Sequence, residues 1–302
     1  MANLSDISRT YDWMDELFRM SLGDYADITC AWFDGNFSLS LPEAQKQKHD
    51  IVLEGIHFSP GDRILDIGSG WGPILKAVKQ KGGIPVGLTL SPAQYNHCVK
   101  QGFEVYLKDW KEIAPDEIGK VDGIVSIGAF EHFCAIPEYL SGKQASIYSR
   151  FFEFCQQLLP PGGRLYLQTM TWGSKGVPDY QKMHQKQQKH SDYWHLHLLE
   201  YFYPGSWLPS GLEQIATCAQ PYFRLVRSSD GRKDYIFTMQ EWGRSFRHMT
   251  PRKILKLFRL LPKLWSHHFR KQMEAFFNNS NRECFKRNIM GHQRMFFEKV
   301  GY

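Results

Sequence analysis

The sequence predicts an α/β fold, an open and mostly parallel sheet with helices on both faces. Three observations predict it. Strand-like apolar runs alternate with helix-compatible segments from residue 60 to residue 170, the rhythm of βαβ units. The first of these runs, Arg63-Ile-Leu-Asp66-Ile, passes straight into glycines at 68, 70 and 72 and then into Pro73-Ile-Leu-Lys-Ala-Val-Lys-Gln80. The residues of chemical interest in this stretch stand at or just beyond the end of such a run, where open α/β sheets bind ligands.

Bulk properties set the frame. The chain has 302 residues, 42% hydrophobic and 15% aromatic, enough for a sizeable core. A net charge of +6 suits an anionic surface or substrate. The opening Met1-Ala-Asn-Leu-Ser-Asp6 lacks the layout of a secretion signal. No apolar run approaches the roughly 20 residues of a spanning helix. Cys30, Cys98, Cys134, Cys155, Cys218 and Cys284 are scattered and form no CxxC pair. Neither a zinc site nor a disulfide framework is indicated, and a cytoplasmic location is expected.

In chain order, residues 1–59 read as a helical cover. Tyr11, Met14, Leu17 and Phe18 fall at helical spacing. Ser40-Leu-Pro-Glu43 reads as a capping box that opens a polar helix to about Ile56. Residues 60–170 form the core, with strands at 61–67, 84–90, 103–107, 121–127 and 164–170. Helices are expected at 73–80, 92–101 and about 147–159. Residues 171–207 break the rhythm with Lys, Gln, His and aromatics. They are expected to form a lid insertion, with Tyr193, Trp194, Tyr201 and Phe202 as its acceptor-side residues. Residues 208–302 complete the single domain through a helix at 208–219, a strand at 222–227 and a basic helical stretch from Arg247 to Arg294.

The glycine turn narrows the ligand. Its spacing is G-x-G-x-G, not the G-x-G-x-x-G of a dinucleotide fingerprint. Glycines allow positive φ and let a ligand lie against bare backbone. A metal is not expected. His184, His190, His195 and His197 have no acidic cluster with them, and His195 and His197 are two apart, poorly spaced to share a ligand.

Further pieces stand in a fixed order over nearly the whole chain. They are Tyr11-Asp12, Cys30-Ala-Trp-Phe33, Leu65-Asp-Ile-Gly-Ser-Gly-Trp-Gly72, Gly87-Leu-Thr-Leu-Ser91, Val125-Ser-Ile-Gly-Ala-Phe-Glu-His132, Tyr203-Pro-Gly205 with Leu208-Pro-Ser210, and Tyr235 with Thr238 and Trp242. Together they resemble the cyclopropane-fatty-acid synthase family of class I methyltransferases, most of all its mycolic-acid branch. The resemblance implies a Rossmann-like fold and S-adenosylmethionine (SAM) as methyl donor, leaving S-adenosylhomocysteine. It implies cofactor contacts at Asp66, Gly68, Gly70, Gly72, Thr89, Leu90, Gln94, Asp109, Trp110 and Ile127. Trp110 can stack on adenine, or it can be a plain rim aromatic. Asp109 can take the adenine amino group, or it can be an ordinary loop carboxylate.

For the reaction, the resemblance implies Glu131, His132, Cys30 and Tyr235, with position 168 as a fourth corner. It also implies a bicarbonate base held by Cys30, Glu131, Tyr235 and a histidine on the fifth strand. Here that histidine is Gln168, which carries no positive charge. The departure counts against bicarbonate and against ring closure. The implied activity is methyl transfer to a carbon–carbon double bond of a lipid acyl chain, giving a cyclopropane or methyl-branched product through a carbocation. Trp32, Phe130, Phe133 and Tyr235 are candidates to shield that cation. The alternative is an N-methyltransferase or an isoprenoid C-methyltransferase, with Glu131 or His132 orienting the acceptor. A third reading is a SAM-binding or lipid-surface protein without activity.

Two features lie outside the motifs. The basic amphipathic segment 251–271 permits peripheral membrane contact, against a competing reading as a helix packed on the domain. Nucleic acid is not expected, because no recognised motif accompanies the charge. The chain stops at Phe297-Glu-Lys-Val-Gly-Tyr302, so the seventh strand usual in relatives is expected to be shortened or replaced from elsewhere.

Overall fold

The computed structural model describes residues 18–23 and 25–301; Tyr11, Asp12, Met14 and Leu17 lie outside them. The first half runs α1 (Leu41–Gly55), β1 (Arg63–Ile67), α2 (Pro73–Gln80), β2 (Ile84–Thr89), α3 (Pro92–Lys100), β3 (Glu104–Leu107), α4 (Pro115–Ile118) and β4 (Gly123–Ile127). A 3-10 turn at Phe130–His132 follows, then α5 (Ile136–Leu140), α6 (Gln144–Leu158) and β5 (Arg164–Trp172). The second half contains α7 (Tyr180–Met183), α8 (Asp192–Leu199), α9 (Leu212–Ala219), β6 (Phe223–Asp230) and α10 (Arg232–Arg247). It closes with α11 (Pro251–Leu260), a 3-10 turn at Leu261–Trp265, α12 (His267–Phe277), α13 (Ser280–Lys286) and β7 (Met290–Lys299).

The strands form one sheet in the order β3-β2-β1-β4-β5-β7-β6. Strands β1 to β5 are parallel, and β7 runs antiparallel between β5 and β6. This is the doubly wound α/β fold expected from the sequence. Local signals position its helices. The Ser40 backbone N–H donates to the Glu43 carboxylate at 2.8 Å, closing the capping box of α1. Gly72 caps α2 at φ +81° directly before Pro73, and a Cβ there would lie 3.1 Å from the Cys98 sulfur.

The expectation of a shortened seventh strand is corrected by β7, a full strand of 10 residues. The basic helical stretch accordingly ends at Lys286, before Met290, not at Arg294. The sequence hid the strand for a physical reason. Met290-Gly-His-Gln-Arg-Met-Phe-Phe does not alternate cleanly between apolar and polar, because its polar residues turn inward. Its partners β5 and β6 are also distant in the chain. The fifth strand runs on to Trp172, two residues beyond its expected end.

Period-two alternation divides the core between the two faces. Leu65 and Ile67 of β1, Ile124 of β4, Leu165 and Leu167 of β5, and Met295 and Phe297 of β7 pack under α6 and α9. The opposite face sends Ile64, Val125, Tyr166 and Phe296 against α1 and α2. By the same alternation Asp66, Gln168, His292 and Arg294 share that second face, beyond the apolar layer. One register thus builds both the core and the polar end of the site.

Candidate active site

The residues expected to contact the cofactor lie at or beyond the carboxyl ends of β1, β2, β3 and β4. Gly68 has φ +87°, and a Cβ there would stand 2.5 Å from the Cβ of Ala129. A side chain at that position is excluded twice, by conformation and by space. Asp66 is buried at the end of β1, and no hydrogen-bond donor among the described residues reaches its carboxylate. Burial, helped by the negative Asp27, pushes its pKa up to about 8. An uncompensated buried carboxylate beside bare backbone fits the cationic methionine end of SAM. Thr89 donates to the Gln94 side chain at 2.8 Å, so these two residues orient each other. Leu90 is exposed and Ile127 is buried. The Asp109 carboxylate accepts from the Lys111 backbone at 3.0 Å.

Trp110 is only 6% exposed. Its ring meets Phe151 edge-on at 5.4 Å and Phe133 at 5.2 Å. It belongs to the aromatic layer under α6, with its indole N–H buried and unpaired.

Asp66 yields a stability prediction. Its folded pKa lies above its unfolded value, so the folded state holds a proton that the unfolded state releases. The stability linked to that proton is complete below the ordinary carboxylate range and is lost as pH rises to about 8. Asp66→Asn is expected to remove this slope, up to about 1.4 kcal/mol per pH unit, in the cofactor-free protein. Urea denaturation of both proteins across that range checks it; parallel stability–pH curves would count against it.

The reaction end opens into a cavity of about 780 Å³. Cys30, Glu131, Gln168, Tyr235 and His292 line its inner part. Glu131 sits on the 3-10 turn after β4, and its carboxylate accepts from the Thr169 hydroxyl at 2.8 Å. Burial pushes its pKa up to about 7. His132 meets the Ser206 hydroxyl through Nδ1 at 2.9 Å, and burial lowers its pKa to about 4, so it is neutral. Burial raises the Cys30 thiol to about 12, so it is no nucleophile at neutral pH. The Gln168 amide is engaged at both atoms: it donates to the Cys30 carbonyl at 3.2 Å and accepts from the Tyr166 hydroxyl at 2.8 Å.

The cation missing at position 168 stands across the sheet from it. Arg294 of β7 is the register partner of Gln168. Its guanidinium donates to Asp234 at 2.8 Å, to the Ala31 carbonyl at 2.7 Å and to the Cys30 sulfur at 3.3 Å, and it lies 4.2 Å from the centre of the Trp32 ring. Sequence reasoning missed Arg294, Asp234 and His292. The available signal was a lone Arg and a lone His inside a strand otherwise rich in Met and Phe. It also missed the buried Lys48, whose ammonium donates to Asp27 at 2.7 Å and to Thr29 at 2.7 Å.

Several expected aromatics go elsewhere. Phe130 stacks on Tyr148 at 4.4 Å in the core, Phe133 packs beside it, and Trp32 is covered by Arg294. Of the four cation-shield candidates only Tyr235 lines the cavity, joined there by Phe18, Phe202, Tyr203, Trp242 and Phe246. Of the four lid aromatics only Phe202 lines it. Trp194 is buried against Leu198 and Ala275, and the Tyr193 hydroxyl accepts from the Asp179 backbone at 3.3 Å. The Tyr201 ring packs on His267 and His268. His195 bonds Ser280 at 3.0 Å, and His184 and His197 face Glu200. Among the described residues no group of three or more His, Cys, Asp or Glu is placed to hold a metal ion.

A sheet in this order, with a glycine turn after β1 and a buried acid after β4, defines a class I methyltransferase. The chain belongs to the mycolic acid cyclopropane synthetase family, whose description matches residues 1–286. Cyclopropane mycolic acid synthase 3 of Mycobacterium tuberculosis is 31% identical over 253 residues, covering 80% of this chain and 81% of that one. The S-adenosylmethionine-dependent methyltransferase UmaA of the same organism is 31% identical over 246 residues, covering 77% and 79%. The crystal structure of mycolic acid cyclopropane synthase CmaA1 complexed with SAH and CTAB superposes with a TM-score of 0.75 at 27% identity, and 98% of each chain is covered. This protein is accordingly an enzyme, a SAM-dependent methyltransferase.

Proposed function

We propose that the enzyme transfers the SAM methyl group to a carbon–carbon double bond of a lipid acyl chain, through a carbocation, giving a cyclopropane or methyl-branched product. One observation carries this reading: the reaction end opens into an aromatic and aliphatic cavity, roomy enough for an acyl chain, with a buried carboxylate at its inner end. The relatives named for mycolic acid chemistry support the lipid class.

The bound SAM supplies a methyl group on a sulfonium, a good leaving group. The π electrons of the alkene form the new C–C bond, and the C–S pair stays on sulfur. Positive charge is left on the acceptor carbon. Tyr203, Tyr235 and Trp242 line the cavity and are the aromatics available to shield that charge, while Phe202 and Met239 help to exclude water. Glu131, ionised above about pH 7, takes the proton. If that proton leaves the transferred methyl, its C–H pair closes the ring. Position 168 offers bicarbonate no positive charge, and one of the two Gln168 amide N–H groups is already spent on the Cys30 carbonyl. Arg294 is engaged by Asp234, Ala31 and Cys30. No step is assigned to bicarbonate. A cytoplasmic enzyme in peripheral contact with a membrane, through residues 251–271, fits the same reading.

The test is transfer of labelled SAM methyl into an extract of the source cells, followed by organic–aqueous partition and mass analysis. Label is expected on acyl chains heavier by one methylene unit. Removing bicarbonate is expected to change the rate by less than about twofold. Label confined to a polar amine or an isoprenoid would sink the acyl-chain reading.

A further inference from the structure

The amphipathic helix expected near the C-terminus exists as α11, but it faces opposite to a helix that merely packs on its domain. Its inward side holds Lys253 and Leu260. The Lys253 ammonium donates to the carbonyls of Ser245 and His248 at 2.9 Å each, and Leu260 packs on Phe269 and Met273 of α12. Its apolar side looks outward. Ile254, Leu255, Phe258 and Leu261 recur at the spacing of one helical face, all four are exposed, and Phe258 is 63% exposed. The turn that follows adds Trp265 at 89%. Beside this face Arg252, Lys256 and Arg259 form a basic stripe at i, i+4 and i+7.

The residues that flank this segment in the chain reach the acceptor cavity. Met249, just before α11, and Phe277, at the end of α12, both line the cavity and are both exposed, Phe277 at 74%. Arg244 and Arg247 stand among the lining residues beside them. The cavity thus joins the buried Glu131 to an apolar, positively charged face.

We propose that this face docks on an anionic lipid bilayer, and that the acyl chain passes from the bilayer past Met249 and Phe277 into the cavity. What enters rests on the acyl-acceptor reading; the docking itself does not. Charge complementarity selects the occupant. Outward Trp, Phe and Leu enter the acyl boundary while Arg and Lys meet anionic headgroups, so a bilayer satisfies both halves of the surface. An acidic carrier protein would engage the basic stripe and leave so large an apolar face in water. Among the described residues no helix is long and apolar enough to cross a membrane, so the contact is peripheral.

The experiment is sedimentation of the full-length protein with vesicles of equal parts phosphatidylglycerol and phosphatidylcholine, and with phosphatidylcholine alone. Binding is expected to the first far more than to the second, and to weaken with added salt. The double variant Phe258→Glu with Trp265→Glu is expected to lose about a hundredfold in vesicle partition. Its circular dichroism and SAM affinity should match the parent, since both side chains are exposed. Equal sedimentation of variant and parent would overturn the proposal. So would failure of the parent to bind anionic vesicles, including the case where it binds an acidic acyl carrier protein instead. Vesicle binding without label entering the lipid would leave the docking surface standing and remove the acyl-acceptor reading. Label entering detergent-dispersed lipid without vesicle binding would do the reverse.

Discussion

Glu131→Gln is expected to lower the methyl-transfer rate by about 10²–10⁴-fold while SAM affinity stays within about twofold. The substitution keeps the shape of the side chain and its bond to Thr169, and removes only the basic form. The pH dependence distinguishes this role from a structural one. Burial raises the Glu131 pKa to about 7, so parent activity should climb as pH rises through that value. The variant's residual activity should lack that limb. His132 cannot supply it, because burial holds its pKa near 4. Stability moves the other way. The folded-state pKa is raised, so stability linked to the Glu131 proton is complete below the ordinary Glu range and lost as pH rises through about 7. Above that pH the variant should be the more stable protein. Single-turnover transfer of labelled methyl across the neutral range makes the measurement. A variant that kept the limb, or lost less than about fivefold, would remove Glu131 as the base.

The features legible in the sequence were those built by near neighbours. The Ser40–Glu43 capping box, the glycine turn and the strand–helix alternation depend on residues a few positions apart, and all stand where the sequence places them. Position 68 was legible because its positive φ and its contact with Ala129 admit only glycine. What depended on distant packing was not legible. Whether an aromatic after a strand faces a ligand or the core is decided by the helix laid over it. Helix α6 takes Phe130 and Phe133, two candidates to shield the cation, into the aromatic layer of the core. The full seventh strand was hidden because its inward polar residues find partners on β5, on α10 and in the Cys30–Ala31 segment, far away in sequence. Gln168 read as a lost cation, because its counterpart Arg294 enters from a strand not recognised in the chain.

Arg294→Met is expected to cost about 3–5 kcal/mol of stability, read by urea denaturation. Arg294 is only 2% exposed and is paired with Asp234, which is also buried. Removing the guanidinium leaves that carboxylate buried, where among the described residues the Phe33 backbone N–H, at 3.3 Å, is the hydrogen-bond donor that remains to it. Arg294→Lys should fall between, since an ammonium keeps the charge but cannot serve Asp234, Ala31 and Cys30 together. The informative construction is Arg294→Met with Asp234→Leu. Replacing both charges removes the uncompensated ion, so the double variant should lose much less than the sum of the two single variants. If it is nearly as stable as the parent yet transfers methyl slowly, the pair serves chiefly to hold the Cys30–Ala31 backbone and β7 against α10, where Tyr235 lines the cavity. If it is as unstable as either single variant, the guanidinium's bonds to Ala31 and Cys30 hold the fold together, and the ion pair is secondary to them.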